Sequence, residues 1–127
     1  MKLVIDSSIF IDYLRNGPSA VRLFEKIEQQ KPELFIPTIV IYELFSGMSA
    51  QNQLIRFKIA DLIRHFKRIE LTEQLAINAG DLFRKLGSQI GSSDYIIAAS
   101  ALSLGAEIVT LNTKHFEKIP GINLYPI

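Results

Sequence analysis

Hydrophobic residues along the chain form short continuous runs that alternate with longer segments of helical spacing. A continuous apolar run between polar residues is typical of a buried strand in a parallel sheet. On this basis the chain is predicted to contain four internal strands and one C-terminal edge strand: KLVID, ELFIP, KRIEL, AEIVTL and INLYPI.

The longer segments place apolar residues three and four positions apart, which is the spacing of one face of a helix. The predicted helices are SIFIDYLRN, SAVRLFEKIEQQ, TIVIYELFSG, QNQLIRFKIADLIRHF, TEQLAINAGDLFRKLG and SSDYIIAASALSLG. Hydroxyl side chains are expected to cap three helix starts, at Ser19, Thr38 and Thr72. Glycine is expected to end three helices, at Gly47, Gly87 and Gly105.

Strands that alternate with helices predict an α/β fold with a mostly parallel central sheet. The 127 residues contain no repeat, low-complexity tract or linker, so we expect one domain. In such sheets, ligands bind beyond the carboxyl ends of the strands. Asp6 ends the first strand at that edge, and Thr110 and Asn112 follow the late strand EIVT at the same edge.

Composition excludes several classes of protein. With 48% hydrophobic and 21% charged residues, the chain has the balance of a compact folded protein rather than a disordered one. It has no cysteine, which excludes disulfides and thiolate metal sites, and His65 and His115 stand apart from any matched zinc ligand. No apolar stretch approaches the roughly 20 residues of a membrane span, and no signal peptide is visible, so we expect a cytoplasmic protein.

One segment, RFKIADLIRHFKR between Arg56 and Arg68, carries five basic residues against a single acid, Asp61. The overall net charge is only +1, so any affinity for nucleic acid would depend on this local concentration. The segment therefore has two interpretations: a surface that contacts phosphates, or an ordinary solvated helix face.

Three carboxylates lie among apolar residues. Asp6 ends LVID, Glu43 is inside TIVIYELF, and Asp94 opens DYIIAASAL. An ionised acid is costly to bury unless it is paired, neutralised or bound to a metal. Each acid also has a simpler explanation: Asp6 could accept hydrogen bonds from backbone amides, Glu43 could point to solvent, and Asp94 could cap its helix or occupy the first turn.

All three acids could meet at one end of the predicted sheet, and few basic residues are near them in sequence to neutralise their charge. Like charges brought together repel and raise one another's pKa. A hard divalent cation removes that repulsion, and carboxylate oxygens are ligands that Mg²⁺ prefers. Another acid, Asp12, is expected to be a surface residue, and we find no Ser-His-acid pattern or phosphate loop.

Three stretches, VIDSSIFIDYL, PTIVIYELFSGM and SSDYIIAASALSLGAEIVTLNTKHFEKIPGI, resemble the PIN-domain ribonucleases. The resemblance is strongest to the VapC-type toxins of toxin–antitoxin pairs, and it covers nearly the whole chain. It implies a single PIN domain over residues 1–127, with a three-layer α/β fold in which helices flank the sheet. It also implies Mg²⁺- or Mn²⁺-dependent cleavage of RNA, often tRNA or ribosomal RNA, by a homodimer that is inhibited by a VapB-like antitoxin.

By this resemblance Asp6, Glu43 and Asp94 are the catalytic acids of the family. Asp6 and Asp94 would ligate the metal directly, while Glu43 would hold a metal-bound water or act as a base. Hydrolysis by water would leave a 5′-phosphate and a 3′-hydroxyl.

Three further residues belong to the site by the same resemblance. Ser8 and Thr110 occupy hydroxyl positions and could orient a carboxylate or a water, although both are also ordinary strand-end residues. The fourth metal-site position, commonly Asp in the family, falls on Asn112. This departure removes one negative charge and leaves the number of metal ions open, and Asn112 could also be only a turn residue.

An acidic cleft repels RNA, so basic residues at its rim must offset that repulsion. The candidates are Arg15, Lys85, Lys114 and the basic segment around Arg64. The RNA target would depend on the shape of the groove and on these basic contacts.

Two other functions compete with the nuclease interpretation. A flavodoxin-like receiver domain would need a phosphoacceptor Asp after the third strand, where KRIEL supplies Glu70 instead. A PIN-like domain that binds RNA or protein without cleaving RNA stays open, because Asn112 lacks the usual charge.

Overall fold

The chain folds into four short strands, seven α-helices and one 3₁₀ helix, seen in a computed structural model that describes residues 1–127. The strands are β1 (Lys2–Ile5), β2 (Glu33–Pro37), β3 (Lys67–Ile69) and β4 (Glu107–Val109). The helices are α1 (Ser7–Leu14), α2 (Pro18–Gln30), α3 (Thr38–Ser46), the 3₁₀ helix (Met48–Gln51), α4 (Gln53–Ile63), α5 (Glu73–Leu86), α6 (Ser92–Leu104) and α7 (Thr113–Phe116). None of these helices has both the length and the apolar composition needed to cross a membrane.

The four strands form one sheet in the order β3-β2-β1-β4, and every pair of neighbours is parallel. Successive residues of a strand point to opposite faces of its sheet. Leu3, Val4 and Ile5 of β1 are all fully buried, so both faces of the sheet are covered at its centre. The predicted three-layer α/β fold with a mostly parallel sheet is confirmed, and the sheet is parallel throughout.

A continuous cluster of 29 buried hydrophobic residues joins the sheet to the helices, so all layers share one core. Its aromatic part lies where α1, α2 and the segment before β3 meet. The rings of Phe10 and Phe66 are 5.0 Å apart in an edge-to-face contact, and Phe24 packs against both. This packing holds α1 in place directly after Asp6, at the point where the chain leaves β1.

The C-terminal segment INLYPI does not form the predicted edge strand. It makes one isolated bridge, between Ile108 and Leu124. Two backbone hydrogen bonds support that bridge: the Ile108 N–H donates to Asn123 O and the Tyr125 N–H donates to Ile108 O, each at 2.9 Å. Pro126 has no N–H with which to extend the pairing, so the segment stays outside the strands.

The predicted C-terminal glycines of the helices are all confirmed, whereas only one of the three predicted N-cap residues is. The helices α3, α5 and α6 end at Gly47, Gly87 and Gly105, as predicted. Thr72 caps α5 by accepting a hydrogen bond from the Leu75 N–H at 3.2 Å. The predictions for Ser19 and Thr38 are wrong, because α2 and α3 already include these residues. Pro18 begins α2, since its missing N–H and constrained φ suit the first turn of a helix.

Asp12 is half-buried and is not the surface acid that the sequence suggests. Its Oδ2 accepts a hydrogen bond from the Ala20 N–H at 3.0 Å, in the first turn of α2, where the helix dipole favours negative charge. A Cβ atom at Gly17 would collide with this carboxylate, so any other residue there would displace the Asp12 side chain from this position. Asp12 therefore joins the end of α1 to the start of α2.

Candidate active site

The carboxyl ends of β1 and β4 bring Asp6 and Thr110 side by side. The two strands are parallel neighbours in which Ile5 pairs with Val109, so the residues that follow them meet at the same edge of the sheet. The Asp6 N–H donates to Val109 O at 3.0 Å and extends the pairing by one residue. Although it carries a carboxylate, Asp6 is only 2% exposed.

Two hydroxyl groups, and no backbone amide, hold the Asp6 side chain. Ser8 and Thr110 donate to the same oxygen, Oδ2, at 2.8 and 2.7 Å. Backbone amides hold these hydroxyls in turn: the Leu111 N–H donates to Ser8 Oγ at 3.0 Å, and the Asn112 N–H donates to Thr110 Oγ1 at 2.9 Å. The other carboxylate oxygen of Asp6, Oδ1, accepts no hydrogen bond within the protein and remains available to a ligand.

Glu43 of α3 is half-buried. The Ser93 hydroxyl donates to Glu43 Oε2 at 3.2 Å, while Oε1 is buried without any hydrogen-bond partner. Burial raises the pKa of the Glu43 carboxyl; the Ser93 hydroxyl opposes this shift, and the negative charges of Asp6 and Asp94 add to it. A buried carboxylate oxygen without a donor is a group that a cation or a water would satisfy.

Asp94 lies in the first turn of α6, whose N-cap is Gly91, so it is a first-turn acid and does not cap the helix. Burial raises the pKa of the Asp94 carboxyl and the charge of Asp6 raises it further, whereas His115 and the Gly91 amide lower it. The charge of Asp6 thus acts on the carboxyl groups of both Glu43 and Asp94. The structure therefore brings the three acids within electrostatic range of one another at one end of the sheet.

One neighbour of Asp94 is not predicted by the sequence. The chain after β4 forms α7, which the polar stretch LNTKHF does not indicate, and this helix places His115 Nδ1 3.1 Å from Asp94 Oδ2. The sequence offers no zinc ligand to match His115, and the partner that the fold gives it is the Asp94 carboxylate. The one feature of the sequence that could have indicated His115 as a site residue is its position shortly after β4, at the edge of the sheet where Asp6 lies.

The Asn112 side chain does not join this group of acids. Asn112 is the N-cap residue of α7, and its exposed side chain makes no hydrogen bond. Its contribution is through the backbone, by the hydrogen bond to Thr110. The structure therefore gathers Ser8 and Thr110 around Asp6 and leaves the Asn112 side chain at the rim.

No Lys or Arg side chain neutralises the three acids. None of the salt bridges pairs a Lys or Arg with Asp6, Glu43 or Asp94. No group of three or more Asp, Glu, His or Cys side chains has the spacing of a preformed metal site. The donor set still suits a hard divalent cation, because it combines oxygen ligands, excess negative charge and the unpartnered Glu43 Oε1.

Comparison with known proteins identifies the family. The family model of the PIN domain matches residues 3–122, which is nearly the whole chain. This chain belongs to the PIN-domain family. Ribonuclease VapC19 of Mycobacterium tuberculosis is 31% identical, over 96% of this chain and 97% of the relative. The tRNA(fMet)-specific endonuclease VapC of Salmonella typhimurium is 30% identical, over 98% of this chain and 96% of the relative.

A solved structure agrees with these relatives. A chain of the toxin–antitoxin complex from Klebsiella pneumoniae is 27% identical, with a TM-score of 0.75 and coverage of 98% of this chain and 99% of that chain. The predicted membership of the PIN-domain ribonucleases of VapC type is thereby confirmed.

Most basic side chains of the segment between Arg56 and Arg68 already have interaction partners within this PIN-domain protein. Arg64 and Lys67 each form a salt bridge of 3.1 Å with an acid. Arg68 donates to two backbone oxygens, and Arg56 lies over an aromatic ring. Lys58 is the exception. Of the two interpretations of this segment, an ordinary surface fits the contacts better than a phosphate-binding patch.

Among the basic residues expected at the rim, Arg15 is the one that shares a cavity with an acid of the site. It lines a cavity of about 270 Å³ together with Glu43, and it has no salt bridge. Lys114 lies on α7 next to His115. Lys85 lines a different cavity, against the last turns of α6, whereas the acid on α6 is in the first turn.

Proposed function

We propose that this PIN-domain protein is a metal-dependent endoribonuclease that hydrolyses RNA phosphodiester bonds and acts as the toxin of a toxin–antitoxin pair. The observation that carries the proposal is that Asp6, Glu43 and Asp94 lie within electrostatic range of one another at the carboxyl edge of the sheet, without a Lys or Arg partner. The VapC ribonucleases among its relatives support the same activity. The proposal treats residues 1–127 as one domain, in accord with the continuous hydrophobic cluster.

In this proposal Asp6 and Asp94 would hold Mg²⁺ or Mn²⁺ directly, and Glu43 would act through a water. Asp6 presents Oδ1 because the hydroxyls of Ser8 and Thr110 occupy Oδ2. The chemistry that a divalent cation would supply in such a site is Lewis-acid catalysis, with a polarised scissile phosphate and a lowered pKa of the attacking water.

Glu43 is the residue we assign as proton acceptor. Its Oε1 has no donor within the protein, so it can accept a proton from the attacking water. Burial raises the pKa of this carboxyl and so makes it a stronger base than an exposed glutamate. Attack by water displaces the 3′-oxygen of the RNA and leaves a 5′-phosphate and a 3′-hydroxyl.

The substrate we propose is tRNA, with ribosomal RNA as the second choice. A relative that covers nearly the whole chain is named a tRNA(fMet)-specific endonuclease, which makes tRNA the first pool to test. Arg15 is the basic side chain we assign to an RNA phosphate, because it lines a cavity with Glu43 and has no internal acid as partner.

The binding partners that we propose, an antitoxin and a second copy of this chain, are those of VapC-type toxins. The solved toxin–antitoxin complex supports a VapB-like antitoxin that binds this chain and blocks its activity. We also propose a homodimer and a cytoplasmic location, where the tRNA substrate would be found.

The test is an RNA cleavage assay with the purified chain, freed of any co-expressed partner. Total tRNA is incubated with Mg²⁺, with Mn²⁺ and with EDTA, and the Asp6→Asn protein, prepared identically, controls for contaminating nuclease. We expect metal-dependent cutting by the wild type that yields 5′-phosphate ends, and no cutting by the variant.

Two results would contradict this proposal in different ways. A 2′,3′-cyclic phosphate product would exclude hydrolysis by water. RNA binding without product at any Mg²⁺ or Mn²⁺ concentration would favour the alternative, a non-catalytic PIN-like domain that binds RNA or protein. The uncharged Asn112 side chain, exposed at the rim, is the feature that supports this alternative.

A further inference from the structure

His115 is the side chain that hydrogen-bonds Asp94. Its Nδ1 lies 3.1 Å from Asp94 Oδ2, and the imidazole is 48% exposed while the carboxylate is 15% exposed. Asp6 has two hydroxyl donors and Glu43 has one. Each acid of the site therefore has a side-chain partner of its own, and for Asp94 that partner is an imidazole.

The fold sets the position of His115 through α7. The next residue, Phe116, is fully buried and anchors this short helix in the core. The His115 N–H donates to Asn112 O at 3.0 Å, and α7 packs against α6, which carries Asp94. The imidazole is thus placed by buried neighbours, although the ring itself is half-exposed.

We infer that His115 is a positioning residue that orients the Asp94 carboxylate toward the divalent cation. An ionised carboxylate can only accept, so Nδ1 must carry the proton that it donates to Oδ2. This hydrogen bond leaves Oδ1 of Asp94 for the cation, just as the hydroxyls of Ser8 and Thr110 leave Oδ1 of Asp6. The inference rests on the proposed metal-dependent function.

The expected effect of losing this hydrogen bond is weaker metal binding. Groups that hydrogen-bond a metal ligand hold it in its binding orientation, and their removal typically costs about 10–100-fold in metal affinity. Because His115 is half-exposed, the folded structure should tolerate its substitution. The loss should therefore appear in metal affinity and not in the stability of the metal-free protein.

The test measures Mn²⁺ affinity of the full chain by isothermal titration calorimetry. His115→Ala removes the donor, whereas His115→Asn retains an N–H donor close to the position of Nδ1. We expect about tenfold weaker Mn²⁺ binding for the alanine variant and recovery to within about threefold for the asparagine variant. His65→Ala is the matched control, because His65 lines a different cavity, beside Tyr13, and it should bind Mn²⁺ like the wild type.

Electron spin-echo measurements on the bound Mn²⁺ separate a positioning residue from a metal ligand. A directly coordinated imidazole nitrogen modulates the echo, and we expect no such modulation in the wild type. Its presence would overturn the positioning role and make His115 a ligand instead. Thermal unfolding in EDTA should give Tm values for all variants within about 2 °C of the wild type.

The outcomes distinguish this inference from the proposed function. Equal Mn²⁺ affinity of the wild type and His115→Ala would overturn the inference alone. Weak binding by both the alanine and the asparagine variants would also overturn it, since a restored N–H donor should restore orientation. A wild-type chain that binds no Mn²⁺ would overturn the proposed metal dependence itself, and the inference with it.

Discussion

The basic segment around α4 and the acids at the sheet edge differ in whether their charges are paired with opposite charges. In the basic segment, Arg64 pairs with Asp61 and Lys67 pairs with Glu33, on the exposed surface. At the sheet edge, hydroxyl and imidazole groups contact the acids, and no Lys or Arg does. The pKa shifts reflect this difference: the hydrogen bond and charge of Lys67 lower the pKa of Glu33, whereas burial and neighbouring acids raise the pKa of Glu43.

This contrast shows that an abundance of one charge in a sequence is a poor guide to function. Exposed ion pairs contribute about 0–1 kcal/mol and leave no charge that requires a ligand. Like charges held together reduce stability, and residues with perturbed pKa values are concentrated at functional sites. Charge that the fold leaves unpaired is therefore the better indicator of a site.

An Asp→Asn substitution made in each of the two regions should give the largest difference in RNA-cleavage activity. Asp6→Asn is expected to lower kcat/KM for RNA cleavage by more than about 100-fold, because loss of a group that only orients a metal ligand already costs about 10–100-fold. Asp61→Asn removes an acid whose side chain is 52% exposed and should leave cleavage within about twofold, at a cost of less than about 0.5 kcal/mol in stability. Cleavage kinetics and urea unfolding measure both effects, and similar losses of activity in the two variants would remove the distinction.

Removal of one positive charge from each region should have a smaller effect on RNA binding. Arg15→Gln is expected to weaken binding about three- to tenfold and to reduce the slope of log affinity against log salt by about 1. Arg64→Gln removes the same charge from a side chain that Asp61 already pairs, so binding should be unchanged. Fluorescence anisotropy with the Asp6→Asn background, in which RNA stays intact, makes the comparison. A loss confined to Arg64→Gln would reverse our assignment of the RNA-binding side chain.

The smallest expected effect is on stability, and its dependence on pH has opposite signs in the two regions. The raised pKa of Glu43 means that the folded state binds this proton more tightly than the unfolded state, whose reference pKa is 4.5. Its contribution to stability is therefore present below that pH and lost as pH rises through the raised value. Glu43→Gln should slightly stabilise the metal-free protein near neutral pH and have little effect in acid.

Glu33→Gln is the matched control for this sign. Because Lys67 lowers the pKa of Glu33, the contribution of this carboxylate is present above its ordinary pKa and lost as pH falls. The variant should therefore be slightly less stable than the wild type near neutral pH and equal to it in acid. Urea unfolding in EDTA at the two pH values measures both variants, and shifts of the same sign would show that the two carboxyl groups have similar environments.

Most elements of the fold were predictable because each depends on a few consecutive residues. The apolar run LVI predicts β1, and Thr72 and Gly87 mark the two ends of α5. The prediction of a terminal strand failed because Pro126 of INLYPI has no N–H with which to extend the single bridge between Leu124 and Ile108. The helix α7 was missed because four residues are too few to show a helical period.

The candidate site was predictable only where the sheet itself places the residues. Asp6 and Thr110 both follow strands, so the rule for parallel sheets brings them to one edge. Ser93 and His115 were missed, since their contacts with Glu43 and Asp94 join residues 50 and 21 positions apart. No local pattern encodes such pairs.

By itself, the sequence determined where most helices and strands lie and which acids would be costly to bury, because these properties depend on near neighbours in the chain. Only the tertiary structure decided the strand order β3-β2-β1-β4, the contact of His115 with Asp94 and the partners of the basic segment. These contacts join distant parts of the chain, and they are selected by the packing of all layers around one core.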